Sequence, residues 1–127
     1  LHIEAHSFPT RRSSDLEQMM KEVRHNDVLK AISSIAMELK PENGKIILFG
    51  SQARGDASEL SDWDILILLD KDRIEESDHD KFTYPFWELG WKINAMIHPI
   101  IYTLQEWANR IHSPFHNNVE SEGILLC

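Results

Sequence analysis

The sequence predicts an α/β or α+β protein in which helices pack on a small mixed β-sheet. Apolar residues recur at three- and four-residue steps from Leu16 to Leu39, which is the period of an amphipathic helix. Two short apolar runs, residues 45–49 and 63–69, have the length and composition of strands that are covered on both faces. Helical and strand-like stretches then alternate along a chain of 127 residues, a length that suits one domain.

Two helical stretches are predicted around these strands. Ser51 is placed to begin a short helix that Gly55 ends. A weaker helical pattern covers residues 74–88, where Pro85 is expected to interrupt the hydrogen bonds of the helix.

A third strand and two helices complete the prediction. Residues 93–102 alternate imperfectly and predict a strand, in which Pro99 indicates either an edge position or an irregularity. Thr103 and Glu106 have the spacing of a capping box, which predicts a helix that opens there. Residues 113–127 predict one more short helix.

Residues 1–15 are set apart from the predicted domain, which we place at residues 16–127. They are polar, contain Pro9 and show neither the helical nor the strand period. Their segment SFPTRRSSDL resembles a translated adapter sequence, so we expect a non-native or disordered leader, with a native disordered tail as the alternative. No apolar centre of a signal peptide is present in them.

Composition and charge exclude several classes of partner. The formal net charge of −8 argues against a surface that follows a long nucleic acid, because such surfaces carry clustered lysine and arginine. No apolar run is long enough to predict a membrane span. The single cysteine, Cys127, fits a reducing compartment. We therefore expect a cytoplasmic protein that binds neither membranes nor long nucleic acids.

The segment between the first two predicted strands carries the residues of a candidate site. Asp62 and Asp64 are two positions apart at the start of a strand, so both carboxylates point to one side. Paired carboxylates suit a hard divalent cation such as Mg²⁺, which substrate phosphates complete. Gly50 and Ser51 end the preceding strand, where a glycine admits a ligand close to the backbone and a serine offers a hydroxyl to phosphate.

Each half of this pattern has a plain structural explanation as well. A lone Gly-Ser is a common turn, and a lone Asp-x-Asp is more often a cap or a solvated edge. It is their combination on neighbouring strands that points to one site for a nucleoside triphosphate and its metal. An aromatic group is predicted to be core, with base stacking as the alternative; its members are Tyr84, Phe86, Trp87 and Trp91.

These residues resemble a known signature. GSQARG at residues 50–55, followed by SDWDILI at residues 61–67, is similar to the motif of the DNA polymerase beta-like nucleotidyltransferase superfamily and of its minimal nucleotidyltransferase branch. The resemblance implies that Gly50 and Ser51 bind the phosphates of ATP or another nucleoside triphosphate. It also implies that Asp62 and Asp64 are catalytic ligands of Mg²⁺.

Two positions leave alternatives open. Arg54 either contacts phosphate or forms a salt bridge within its loop. Members of the family usually carry a third carboxylate in a later strand, and here His98 stands in its place. A histidine can accept the proton of the attacking hydroxyl, because its pKa is near neutral, or it can be a packing or surface residue.

The resemblance also implies a partner. In the minimal branch, small nucleotidyltransferases pair with a helical HEPN-type ribonuclease toxin, which they neutralise by transferring AMP to it or by binding alone. The sequence thus predicts a nucleotidyltransferase that acts on a partner protein. Its alternative is an antitoxin-like interaction module that has lost the chemistry together with the third acid.

Overall fold

The computed structural model describes residues 2–58 and 61–127, with side chains from residue 15 onward. The chain divides into two compact units, Leu1–Lys30 and Ala31–Cys127. None of the helices in the described part has both the length and the apolar content that crossing a lipid bilayer requires.

Helices and strands alternate along the chain. The helices are α1 (His2–Leu39), α2 (Ser51–Arg54), α3 (Glu76–Asp78), α4 (Tyr84–Ile93), α5 (Leu104–Ala108) and α6 (Pro114–Glu122). The strands are β1 (Lys45–Phe49), β2 (Trp63–Leu69), β3 (Ile97–Thr103) and β4 (Ile124–Leu125). A π-helical turn, His79–Thr83, connects α3 to α4.

The first unit consists of the amino-terminal part of α1. Four apolar side chains of the helical pattern lie in the described part of this segment, and all four are exposed: Leu16, Met19, Met20 and Val23. An apolar stripe normally marks the packed face of a helix. Here the stripe is exposed, so the helical period did not predict burial in this segment. The helix also covers residues 2–15, and the assignment of residues 1–15 to a leader stays a prediction.

The second unit is built on a four-stranded mixed sheet with the order β3-β2-β1-β4. The central strand β2 runs antiparallel to β1 and parallel to β3, while β4 pairs antiparallel with the other side of β1. The predicted mixed sheet is therefore confirmed, and so is the edge position of the strand that contains Pro99. Strand β4 was not predicted, because two residues are too few to show a period.

Both faces of β1 and β2 are covered, as their apolar runs predict. Helices α5 and α6 pack on one face, where the buried cluster consists of Ile47, Leu66, Leu68, Trp107 and Val119. The other face is equally apolar, with Ile46, Leu48, Ile65 and Ile67 fully buried. Alternation in strands sends neighbouring side chains to opposite faces, so these two sets lie on either side of one sheet.

Three predicted boundaries differ from the structure. Pro85 lies in the first turn of α4, directly after the π-helical turn, and the helix continues past it. Helix α4 continues to Ile93, and the third strand begins only at Ile97.

The predicted capping box of Thr103 and Glu106 is present and opens α5.

Candidate active site

The ends of three strands bring the predicted site residues to one edge of the sheet. Because β1 is antiparallel to β2 and β2 is parallel to β3, the carboxyl end of β1 meets the amino ends of the other two. Phe49 pairs with Asp64, and Asp64 pairs with His98. Residues paired across a sheet share a face, so the side chains of Asp64 and His98 lie on the same side.

Gly50 makes the turn from β1 into α2. Its backbone has φ 78° and ψ −162°, a conformation that is essentially restricted to glycine. Its carbonyl accepts hydrogen bonds from the N–H groups of Ala53 and Arg54, both at 3.1 Å, which places Ser51 in the first turn of the helix. A Cβ atom at position 50 would collide with the carboxylate of Asp64. The glycine thus allows the turn to lie against the acidic side chain.

Two hydrogen bonds hold the segment that carries the first aspartate. The buried side chain of Gln52 donates from Nε2 to the carbonyl of Ser61 at 3.2 Å, which connects α2 to the residue before Asp62. On the other side of Asp62, the N–H of the buried Trp63 donates to the carbonyl of Met96 at 2.7 Å. Asp62 is therefore positioned from both flanks although its own side chain is exposed.

Asp62, Asp64 and His98 form a cluster of potential metal ligands. One ligand atom of each residue lies within 4.8 Å of the others. Asp64 is half-buried, whereas Asp62 and His98 are exposed. Two carboxylates and an imidazole at this separation fit a single divalent cation, which would also relieve the repulsion between the two negative charges.

The pKa of Asp64 is raised above its ordinary value. Burial is the main cause, because it disfavours the charged carboxylate, and the negative charge of Asp62 adds to it. The charges of His98 and Arg54 act in the opposite direction. A nearby cation would favour the charged carboxylate and so offset both effects.

Arg54 forms the loop salt bridge that was one of its two predicted roles. Its Nε lies 3.2 Å from Asp56 Oδ2, and its Nη1 lies 3.4 Å from Glu122 Oε2. The hydrogen bond with Asp56 is the main cause that raises the pKa of the guanidinium. Contact between Arg54 and a phosphate would require these ion pairs to rearrange.

The prediction that the aromatic group belongs to the core is correct for one member and wrong for three. Phe86 is fully buried, whereas Tyr84, Trp87 and Trp91 are 49%, 37% and 68% exposed. The ring centre of Trp87 lies 5.7 Å from that of His98. This contact was missed because helical spacing shows which residues share a face but not what the face meets.

The comparisons with known proteins identify the family. A family model described as the nucleotidyltransferase domain matches residues 29–122, which is most of the chain. The chain belongs to this nucleotidyltransferase family. The resemblance that GSQARG and SDWD suggested is thereby confirmed, and a nucleoside triphosphate is the substrate that the family implies.

Two relatives of this nucleotidyltransferase come from Methanocaldococcus jannaschii, and both carry the provisional name protein adenylyltransferase. One is 40% identical over 82 residues, which is 65% of this chain and 76% of the relative. The other is 37% identical over 95 residues, which is 75% of this chain and 87% of the relative.

A solved structure supports the fold. It is the crystal structure of a toxin-antitoxin with AMP-PNP, and it superposes with a TM-score of 0.50 at 17% identity, over 81% of this chain and 72% of that one. At this identity the likeness concerns the fold alone, and it confirms the predicted α/β architecture.

Proposed function

We propose that this nucleotidyltransferase transfers AMP from ATP to a hydroxyl group of a partner protein, with a divalent metal ion held by Asp62 and Asp64. The observation that carries the proposal is the meeting of the Gly50–Ser51 turn with the aspartates and His98 at one edge of the sheet. The names of the two archaeal relatives support both AMP as the transferred group and a protein as the acceptor.

In this proposal the turn after β1 binds the triphosphate. Gly50 admits phosphate close to the backbone because it has no side chain, and Ser51 offers its hydroxyl at the start of α2. The ion pairs of Arg54 connect α2 to Asp56 in the following loop and to Glu122 in α6. The turn thereby holds the α-phosphate next to the two aspartates.

The proposed reaction is an in-line displacement. The acceptor hydroxyl gives up its proton to solvent, its oxygen forms a bond to the α-phosphorus, the bond from this phosphorus to the bridging oxygen breaks, and pyrophosphate leaves. A bound divalent ion, Mg²⁺ in the prediction from sequence, would neutralise phosphate charge. The contribution of the chain is to position the reactants and to fix the charges around them.

We further propose that the partner is a HEPN-type toxin. The fold likeness to a toxin-antitoxin structure with AMP-PNP supports a toxin as the partner. The net charge of −8 favours a basic partner, such as a protein that handles RNA, through complementary charge.

The aspartate pair provides the test. In the full chain, we expect the double variant Asp62→Asn/Asp64→Asn to lose metal-dependent ATP binding in calorimetric titration, since the neutral amides hold a divalent cation far less well. Transfer of label from α-labelled ATP to a protein acceptor should fall by about a hundredfold or more in the same variant.

The chain contains a matched control for this test. Asp70 and Asp72 have the same spacing and lie just beyond the opposite end of β2, so Asp70→Asn/Asp72→Asn makes the same charge change away from the site. We expect this control to bind ATP like the wild type. Equal binding by both double variants would contradict the assignment of the site.

A binding-only antitoxin is the second candidate, and His98 is the observation that favours it. If the wild-type chain binds a toxin partner and inhibits it without label transfer, the protein acts by binding its partner and not by transferring AMP. The double aspartate variant would then inhibit the toxin as well as the wild type does.

A further inference from the structure

The candidate metal site contains one nitrogen ligand among its oxygen ligands. Its potential donors are the carboxylates of Asp62 and Asp64 and the imidazole of His98, with ligand atoms within 4.8 Å of one another. A third carboxylate would make an all-oxygen set, so His98 changes the chemical character of the site.

The fold holds this imidazole beside the carboxylates. Asp64 and His98 are direct partners on adjacent parallel strands, so their side chains leave the same face of the sheet. The ring of Trp87 lies against the imidazole, with 5.7 Å between the ring centres and an angle of 49° between the planes. The position of His98 in the strand and the contact with Trp87 both restrict the orientation of the imidazole.

Ligand chemistry then distinguishes between cations. Mg²⁺ is a hard ion that takes oxygen ligands and keeps several waters. An imidazole nitrogen adds affinity for first-row divalent transition metal ions, and this affinity rises from Mn²⁺ through Co²⁺. A site with two carboxylates and one imidazole therefore favours the transition metals over Mg²⁺.

We propose that Asp62, Asp64 and His98 form a site that selects a first-row divalent transition metal ion over Mg²⁺. The use of this metal in nucleotidyl transfer rests on the proposed function, whereas the selectivity depends only on the three side chains. His98 is a ligand in this assignment, in place of the proton acceptor that the sequence suggested.

Metal binding to the full chain without nucleotide tests the selectivity. Calorimetric titrations with Mn²⁺, Co²⁺ and Mg²⁺ should show that the first two bind about tenfold or more tightly than Mg²⁺. The visible absorption of bound Co²⁺ gives a second readout, because it changes when a nitrogen ligand is lost.

Variants of His98 assign the effect to the imidazole. His98→Ala should lower the affinity for Mn²⁺ and Co²⁺ by about tenfold and alter the Co²⁺ spectrum. His98→Asp should bind Mg²⁺ more tightly and reduce the preference for Mn²⁺, since it restores an all-oxygen set. His112→Asp makes the same change at an exposed histidine outside the cluster and should leave all affinities unchanged.

The outcomes separate this inference from the proposed function. Equal affinities for Mn²⁺ and Mg²⁺ in the wild type, or a Co²⁺ spectrum that His98→Ala leaves unchanged, would overturn the inference even if Asp62 and Asp64 prove essential for AMP transfer. Selective, His98-dependent Mn²⁺ binding by a chain that transfers no AMP with any of the three metals would support the inference and contradict the proposed function.

Discussion

Gly50 joins the two halves of the candidate site through its backbone. Two constraints act on this residue: its φ of 78° and the position of the Asp64 carboxylate, which a side chain would meet. Gly55 also has a positive φ, 86°, but a Cβ atom there would meet no described atom within 4 Å. Substitutions at the two glycines therefore separate the effect of backbone strain from the effect of a collision with Asp64.

We expect Gly50→Ala to lower the free energy of unfolding by about 1–3 kcal/mol, because only glycine adopts this conformation readily. It should also abolish metal-dependent ATP binding, since either the turn or Asp64 must move. Gly55→Ala should lower stability by about 1–2 kcal/mol through its positive φ. Urea unfolding and calorimetric titration measure both effects, and loss of ATP binding in both variants would show that the collision is not the cause.

At the scale of elements, the last residue of α3 has a buried acidic side chain, which the sequence does not reveal. The acidic run over residues 75–80 resembles a solvated helix face, and that interpretation is wrong for Asp78, which is buried. Its Oδ2 accepts a hydrogen bond from Lys71 Nζ at 2.6 Å and another from the N–H of Glu75 at 2.9 Å. Composition does not show whether an acidic residue of a short helix faces solvent or, like Asp78, is covered by a lysine from outside the helix.

The charge of Asp78 predicts a dependence of stability on pH. Burial alone would raise its pKa, but the hydrogen bonds from Lys71 and from the backbone of Glu75 outweigh burial and lower it below the ordinary 3.8. A carboxyl group whose pKa is lower in the folded state stabilises the fold above its unfolded pKa, and this stability is lost as pH falls through the folded value.

Asp78→Asn should therefore reduce stability near neutral pH and flatten the decline in acid. Urea unfolding from pH 6 to about pH 3 tests this expectation, over the range where an ordinary aspartate and one with a lowered pKa differ in charge. Asp80→Asn, at an exposed position two residues later, is the control and should retain the decline of the wild type. Parallel curves for Asp78→Asn and the wild type would contradict the stabilising role of this carboxylate.

At the scale of the whole molecule, the central strand β2 connects the core to the site. Its amino end carries Asp64, and its later residues contribute to both faces of the sheet. Leu66 is fully buried in the cluster with Trp107 and Val119, which attaches α5 and α6 to the sheet. Packing on this strand therefore supports the positions of the ligands at its start.

Leu66→Ala should lower the free energy of unfolding by about 2–5 kcal/mol, because it leaves a cavity between the sheet and the helices. Leu125→Ala makes the same substitution on β4, where the side chain is 62% exposed, and should cost less than about 1 kcal/mol. Chemical denaturation measures the difference. Similar costs at both positions would show that the packed cluster contributes little to stability.

Local patterns in the sequence determined the elements that lie close together along the chain. The bounds of β1 and β2, the capping box of Thr103 and Glu106, and the pairing of Asp62 with Asp64 all depend on short-range periodicity and spacing. These features follow from the sequence because the alternation of strands and the hydrogen bonds of caps involve residues only a few positions apart.

Only the tertiary structure decided which distant residues meet. It placed His98 next to Asp64 by the parallel register of β3 on β2, and it set Trp87 against His98. It also exposed apolar side chains in the first part of α1 and buried Asp78. A helical or strand period defines the faces of one element, whereas what covers a face depends on the packing of other elements that are far away in sequence.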